Sequence, residues 1–197
     1  TISNENIYAG NYTVSTILTD RAGNKTAAAR EQNISLGANG ERTVKQQMAV
    51  NDPHLWSLND PYLYRVLVEL KQDGKVIDSK KIRFGFRTVD IKANGVFLNG
   101  KHVKILGTNN HQDHAGIGSA LPDYMQYYRI SLLKNMGSNA YRTSHNAPAP
   151  ELLDACDSLG MLVMDEQRLL NSSAEYMNQF ERIIRRDRNH PSIFIWS

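Results

Sequence analysis

The chain has 197 residues, 41% of them hydrophobic and 22% charged, a balance that excludes a disordered chain. No apolar run reaches the ~18 residues of a membrane-spanning helix, so no membrane partner is expected. The net charge of +3 arises within residues 1–88 while residues 89–197 are balanced; without a basic face for phosphates, nucleic acid is not an expected partner.

Residues 1–88 read as strands. Tyr12, Val14, Thr16 and Leu18 alternate with Thr13, Ser15, Ile17 and Thr19, the period-2 pattern of a strand with one buried face. Val44, Met48 and Val50 alternate with Lys45, Gln47 and Ala49 and predict another strand. Tyr62, Tyr64, Val66, Val68 and Leu70 share one face of a long run, with Arg65 and Glu69 on the other. Asp73-Gly74 turns the chain into Val76–Phe84, glycine supplying the positive φ of a tight hairpin. Short strands, turn signals and no helical period predict a β-sandwich of about 90 residues.

Beyond residue 88 the pattern changes. Val89–Ile91, Val96–Leu98 and Val103–Leu106 are strand-like and separated by Asn94-Gly95 and Asn99-Gly100 turns. Strands and helices then alternate. A strand over Val103–Asn109 leads to a helix from Pro122 to Met136, with Leu121, Met125, Tyr128, Leu132 and Met136 as its expected buried stripe. Pro122 suits the first turn and Gly137 the C-terminal cap. A strand at Ala140–Ser144, a helix at Pro150–Leu159 closed by Gly160, and a strand at Leu162–Asp165 follow. Ser172-Ser173-Ala174-Glu175 has capping-box spacing and opens a helix through Phe180, Ile183 and Ile184. Asn189-His190-Pro191 stops it before a last strand, Ile193–Ser197. Such repeats predict parallel strands and right-handed crossovers, here four units, half of an eight-stranded barrel. The single cysteine, Cys156, rules out an internal disulfide framework and is expected to be a buried structural thiol.

In such barrels chemistry gathers where strands end. The four expected strand ends carry Asn109-Asn110-His111-Gln112-Asp113-His114, then Arg142-Thr143-Ser144-His145-Asn146, Asp165-Glu166 and Trp196-Ser197. Each has a structural alternative. His111 and His114 can cap loop carbonyls, and Arg142 can pair with Asp165 or Glu166. Asp165 and Glu166, being adjacent in a strand, point to opposite sides, so at most one faces the mouth. His190 is expected to be structural, and Arg182, Arg185, Arg186 and Arg188 to form a solvated helix face.

Leu55-Trp56-Ser57, Asp60-Pro61-Tyr62-Leu63-Tyr64, Gly85-Phe86-Arg87 and Phe97-Leu98-Asn99-Gly100-Lys101 resemble glycoside hydrolase family 2. So do Gly107-Thr108-Asn109-Asn110-His111-Gln112-Asp113-His114, Tyr141-Arg142-Thr143-Ser144-His145, Asp165-Glu166 and Asn189-His190-Pro191-Ser192-Ile193-Phe194-Ile195-Trp196-Ser197. The motifs run in order from about residue 50, and the His-Gln-Asp-His form is most similar to the family's β-galactosidases. The resemblance implies an immunoglobulin-like β-sandwich over residues 1–88 and the first four β/α units of a TIM barrel over 89–197. It implies a retaining exo-glycosidase acting on terminal non-reducing β-galactosides through two carboxyl groups. The family's acid/base Glu follows a Trp-Ser pair within Gly-Asn-Glu and its nucleophile lies on a later strand, so neither is assigned to these 197 residues. The chain is read as a fragment, inert alone.

By the same resemblance His114 and His145 hydrogen-bond sugar hydroxyls, with Asn110 and His111 beside them. Arg142 orients the nucleophile and keeps it ionised. Asp165, Glu166 and Trp196 support the rim. Leu170-Asn171-Ser172 stands where some members carry a Glu-x-His metal segment, so no cofactor is expected. Asn146 in place of a Tyr and Asn110 in place of a basic residue bear on sugar preference. The alternatives are a β-glucuronidase, a non-catalytic carbohydrate-binding or interaction module, and a hydrolase with zinc on His111, His114, His145 and Asp165. A half barrel with open edges predicts self-association through residues 89–197. The start at Thr1 suggests a missing native N-terminus, and no compartment is read.

Overall fold

The computed structural model describes residues 1–169 and 171–197; Leu170, first of the three residues at the expected metal segment, lies outside the described residues. The chain forms two compact units that interleave along the sequence. One comprises Thr1–Pro53 and Tyr64–Phe84, the other His54–Leu63 and Gly85–Ser197.

The first unit is all β: β1 (Ile2–Ser3), β2 (Gly10–Thr19), β3 (Lys25–Ala28), β4 (Gln32–Leu36), β5 (Glu41–Arg42), β6 (Tyr64–Gln72) and β7 (Lys75–Phe84). β2 is central, antiparallel to β6 on one side and to β4 and β3 along the other, with β7 beyond β6. β1 and β5 form a separate antiparallel ribbon. Tyr12, Val14, Ile34 and Leu36 are buried on one face of the sheet, packed by Val68 and Leu70 of β6 and by Ile2 and Val44, making a sandwich. Each buried aliphatic side chain contributes about 1.5–3 kcal/mol. Asp73 and Gly74 both take positive φ, 50° and 76°, the backbone of a two-residue hairpin turn. The edge strand β7 is studded with Lys75, Lys80, Lys81 and Arg83, which discourage a further strand from pairing.

The strand expected over Val44–Val50 does not form. Its exposure alternates as an extended chain's would, yet it joins no ladder. The Gln46 side chain ties it down instead, accepting from the Thr16 hydroxyl at 2.7 Å and donating to the Val14 and Arg30 carbonyls at 3.2 and 2.9 Å.

The second unit opens with an antiparallel meander, β8 (Val89–Lys92), β9 (Gly95–Leu98) and β10 (Lys101–Val103). A parallel sheet follows in the order β11 (Gly107–Asn110), β12 (Ala140–Thr143), β13 (Leu162–Asp165) and β14 (Ile193–Trp196). Its connections carry α1 (Asp123–Asn135), α2 (Pro150–Leu159) and α3 (Ala174–Asp187). This is the first half of a TIM barrel. The first barrel strand is shorter than the expected Val103–Asn109, because the Asn139 side chain replaces the ladder there. It accepts from the Leu106 N–H and donates to the Lys104 carbonyl, both at 2.8 Å. The chain re-enters the sheet at Gly107, where a Cβ would stand 2.8 Å from the Ala140 carbonyl oxygen.

Strand parity divides the apolar residues of this unit. Tyr141, Val163 and Ile193 point to the helices and join Ile130, Leu152, Leu153, Ala155, Cys156 and Met161 in one core. Ala140 and Leu162 point the other way, into a cluster with Trp56 and Leu98. Trp56 is wholly buried; its backbone N–H bonds to the Phe86 carbonyl at 2.8 Å and its indole N–H to the Asp157 carbonyl at 2.7 Å. Arg87 donates to the Pro191 and Ile193 carbonyls, and Asn99 donates to the Trp56 carbonyl. The motifs around residues 56, 86, 99 and 190 therefore meet in one floor beneath the sheet.

Two helices depart from expectation. α1 buries Gln126 and Ile130, with Leu133 against the core, while of the expected stripe Tyr128, Leu132 and Met136 are exposed and only Leu121 and Met125 are half-buried. The helix carries two apolar faces, and periodicity alone does not choose between them. α3 begins at Ala174 with Ser173 as cap, leaving Glu175 too close to reach back, so no capping box forms; Asn171 Oδ1 accepts the Ser173 N–H at 2.8 Å instead. Its four arginines are all exposed, as expected of a solvated face. Arg185 pairs with Glu181, and Arg186 reaches from the same face to the buried Asp187.

Candidate functional site

Arg142 on β12 lies opposite Met164 on β13, so Glu166, two residues further on, projects to the same side at the rim. Thr143, wholly buried, locks that strand end by accepting the Glu166 N–H at 2.9 Å. Glu166 is itself nearly buried and gathers two side chains. Arg142 Nη2 donates to Oε1 at 3.0 Å, with Nε 2.7 Å from Oε2, and His145 Nδ1 lies 2.8 Å from Oε1. The Nε approach lies off the hydrogen-bond axis, so Oε2 gains charge pairing without a donated proton. The His111 ring stands edge-on to His145 at 5.4 Å between centroids and 83° between planes. The Ser144–His145 peptide is cis.

The remaining expected site residues are placed as follows. Asn110 ends β11, its amide donating to the Thr108 hydroxyl at 2.7 Å. His114 sits exposed in the loop that follows, with Nδ1 2.9 Å from the Ala115 carbonyl oxygen, the loop-capping alternative. Gln112 donates to the Ala147 carbonyl at 2.9 Å and Arg129 of α1 donates to the His111 carbonyl, so two side chains anchor that loop. Arg129 carried no sequence signal beyond its place on a helix. Thr143 was legible only as part of a strand-end motif. Asp165 and Trp196 occupy the opposite side of the sheet: they are register partners, Asp165 is fully buried, and Trp196 packs against the helix-side core. Whatever support they give the rim comes from behind.

Arg142 thus pairs with Glu166 and not with Asp165, as parity requires. A guanidinium has five N–H donors, more than one carboxylate takes up, and Arg142 and His145 both stay partly open to solvent. The cluster is a pair of hydrogen-bonding, cation-capable side chains preset by a buried anion, suited to gripping hydroxyl or carboxylate oxygens.

The zinc alternative fails on geometry, because among the described residues His111, His114, His145 and Asp165 do not come together. The one group that does converge is Asp154, Asp157 and His190. There the Asp157 oxygens are already taken by His190 Nδ1 at 2.6 Å and by the Ser192 N–H at 3.1 Å. Burial opposes an imidazolium at His190, but the hydrogen bond and charge of Asp157 outweigh it and raise the pKa. This is a structural clamp. Burial likewise pushes the Cys156 thiol far up, which removes it as a nucleophile.

Comparison with known proteins fits this geometry. Residues 1–87 match the model of glycosyl hydrolases family 2, and residues 89–174 match the TIM barrel domain of glycosyl hydrolases family 2. A β-galactosidase of Bacteroides ovatus is 36% identical over all of this chain, which covers 25% of that protein. A solved family 2 member from Bacteroides cellulosilyticus superposes with a TM-score of 0.87 at 39% identity, over 98% of this chain and 27% of its own. Bacteroides uniformis β-glucuronidase 2, solved covalently bound to cyclophellitol-6-carboxylate aziridine, superposes with a TM-score of 0.88 at 32% identity, over 98% and 24%. The chain therefore spans about a quarter of these relatives. With both family models matched in order and the same fold found in its relatives, the chain belongs to glycoside hydrolase family 2.

Proposed function

We propose that this chain is the substrate-positioning part of a retaining exo-glycosidase that acts on terminal non-reducing β-D-galactosides. The observation that carries the reading is the rim cluster, in which Glu166 presets Arg142 and His145, with His111 against His145. In a retaining mechanism one carboxyl protonates the glycosidic oxygen while a second, about 5–5.5 Å away, attacks the anomeric carbon. Glu166 fills neither role, since its charge is committed to Arg142 and His145. Both carboxyls are assigned to residues outside these 197. His145 and His114 hydrogen-bond sugar hydroxyls as positive charge develops at the anomeric carbon, Asn110 and His111 border them, and Arg142 holds the incoming nucleophile as an anion.

The B. ovatus relative favours a galactoside; the B. uniformis relative makes a β-glucuronide the second reading. The test compares p-nitrophenyl β-galactoside and β-glucuronide with the complete protein and with this chain alone. The expected result is galactoside turnover with retention by the complete protein and none by the chain. Turnover of the glucuronide alone would replace the sugar assigned here, and turnover by the chain would refute the division of labour.

A further inference from the structure

Three Asn-Gly pairs occur in the chain, at 39–40, 94–95 and 99–100. Each is open in principle to one reaction, in which the glycine backbone nitrogen attacks the carbon of the asparagine side-chain amide. Glycine permits it because no side chain crowds the approach. The fold separates the three. Asn99 is held at both ends of its amide: Oδ1 accepts the Thr88 N–H at 3.0 Å and Nδ2 donates to the Trp56 carbonyl at 2.9 Å. Asn39 is exposed, but the attacking nitrogen is engaged, since the Gly40 N–H donates to the Gly37 carbonyl at 3.1 Å. Asn94 lies exposed in the turn between β8 and β9, and its amide makes no hydrogen bond among the described residues. Gly95 pairs with Lys92 as the last rung of that hairpin, the end from which a ladder frays.

A second feature belongs to this turn alone among the three. His102 of β10 is the register partner of Phe97 on β9, and its ring stands edge-on to Phe97 at 5.4 Å between centroids. Gly95, two residues before Phe97, shares that face of β9, so the imidazole covers it as well: a Cβ on Gly95 would stand 2.5 Å from His102 Nε2. Only glycine lets the ring lie against this peptide. Asp90 and Lys92 of β8 are the register partners of Phe97 and Gly95 and share the face, with Lys92 Nζ 4.9 Å from the centre of the Phe97 ring. Gly40 and Gly100 have no imidazole beside them.

We propose that Asn94 is a spontaneous deamidation site at which His102 assists as a general base. The neutral imidazole takes the Gly95 amide proton as the Gly95 nitrogen bonds to the Asn94 side-chain carbon. The bond from that carbon to the amide nitrogen then breaks, and the proton returns to the departing ammonia. Water opens the resulting cyclic imide at either carbonyl, leaving aspartate or isoaspartate at position 94. The sum is one water consumed and one ammonia released, with no change of oxidation state. Isoaspartate carries an extra methylene in the main chain of a two-residue turn, where the pairing register is set. From that turn β9 leads to Leu98 in the cluster around Trp56. The site is independent of which sugar the rim binds.

Asn39 is a built-in control, because Ala38-Asn39-Gly40 and Ala93-Asn94-Gly95 are the same tripeptide. The test is peptide mass spectrometry of the complete protein after storage in mildly alkaline heavy-oxygen water, which leaves a heavy oxygen on each converted residue. Asn94 should convert severalfold faster than Asn39, with Asn99 slowest. In urea the lead of Asn94 over Asn39 should vanish. His102→Phe should slow conversion at Asn94 severalfold and leave the rate at Asn39 unchanged. Asn94 converting no faster than Asn39 in the folded wild-type protein would overturn the proposal, whether or not the variant folds. So would a lead that persists in urea, or an Asn94 rate that ignores His102→Phe.

Discussion

Trp56 lies far from the rim in sequence, yet the second unit is built on it. It is fully buried against Leu98, Ala140 and Leu162, with Leu58, Leu63 and Phe194 packed alongside. Trp56→Ala should leave a cavity costing about 3–5 kcal/mol. It also strands the Asp157 carbonyl, which loses its 2.7 Å indole donor, for about 1–3 kcal/mol more. Some collapse of the site reduces the sum, giving an expected loss of about 4–6 kcal/mol, against total stabilities of about 5–15 kcal/mol. Trp56→Phe keeps most of the ring and loses only the donor and a small volume, so about 1–2 kcal/mol is expected. Both variants leave Trp196 as the single tryptophan, and its fluorescence in urea reports the second unit directly. Trp56→Ala costing under about 2 kcal/mol would refute the buried-floor argument. Trp56→Phe costing as much as Trp56→Ala would place the energy in the hydrogen bond and refute the partition.

Gly160→Ala should destabilise by about 3 kcal/mol in the same assay, since Gly160 has φ 71° and its Cβ would run into the Leu58 carbonyl. Glu166→Gln leaves Arg142 and His145 without their anion. Removing one partner of a buried pair costs about 3–5 kcal/mol, but Arg142 is 34% exposed, so solvent screening lowers the expected loss to about 1–2 kcal/mol. In the complete protein the same change should cut galactoside turnover. α1 exposes Tyr124, Tyr128, Leu132 and Met136 together, so sedimentation of the chain should show concentration-dependent self-association; a strict monomer at high concentration would count against it.

Local chemistry made much of the fold legible. Asp73-Gly74 and Asn99-Gly100 demand positive φ and receive it, and Pro150 and Gly160 punctuate α2 at the expected residues. The misses share a cause, which is a side chain standing in for backbone or a second apolar face competing with the first. Gln46 replaces the ladder at 44–50, Asn139 replaces it at 104–106, and both are contacts between residues far apart in sequence. The helical period does not select the buried side of α1, because Ile130 and Leu133 bury one face while Tyr128 and Leu132 decorate the other. Several motifs that carried the family resemblance are scaffold: Gly85 leaves room for Pro191, Phe86 accepts from Trp56, and Arg87 ties the start of β14. Resemblance located the family without separating floor from rim.

The Asp165-Glu166 pair shows what parity adds. Two adjacent carboxyls of nearly equal chemistry point to opposite faces of β13 and meet opposite surroundings. Glu166 meets Arg142 and His145, partners that favour the anion. Asp165 meets burial, which favours the neutral acid. Exchanging their order would put the longer side chain into the space behind the sheet and the shorter one out of reach of Arg142. The dipeptide is thus constrained at both positions by packing and charge together: one carboxyl organises Arg142 and His145 at the rim, and the other lies buried on the opposite side of the sheet.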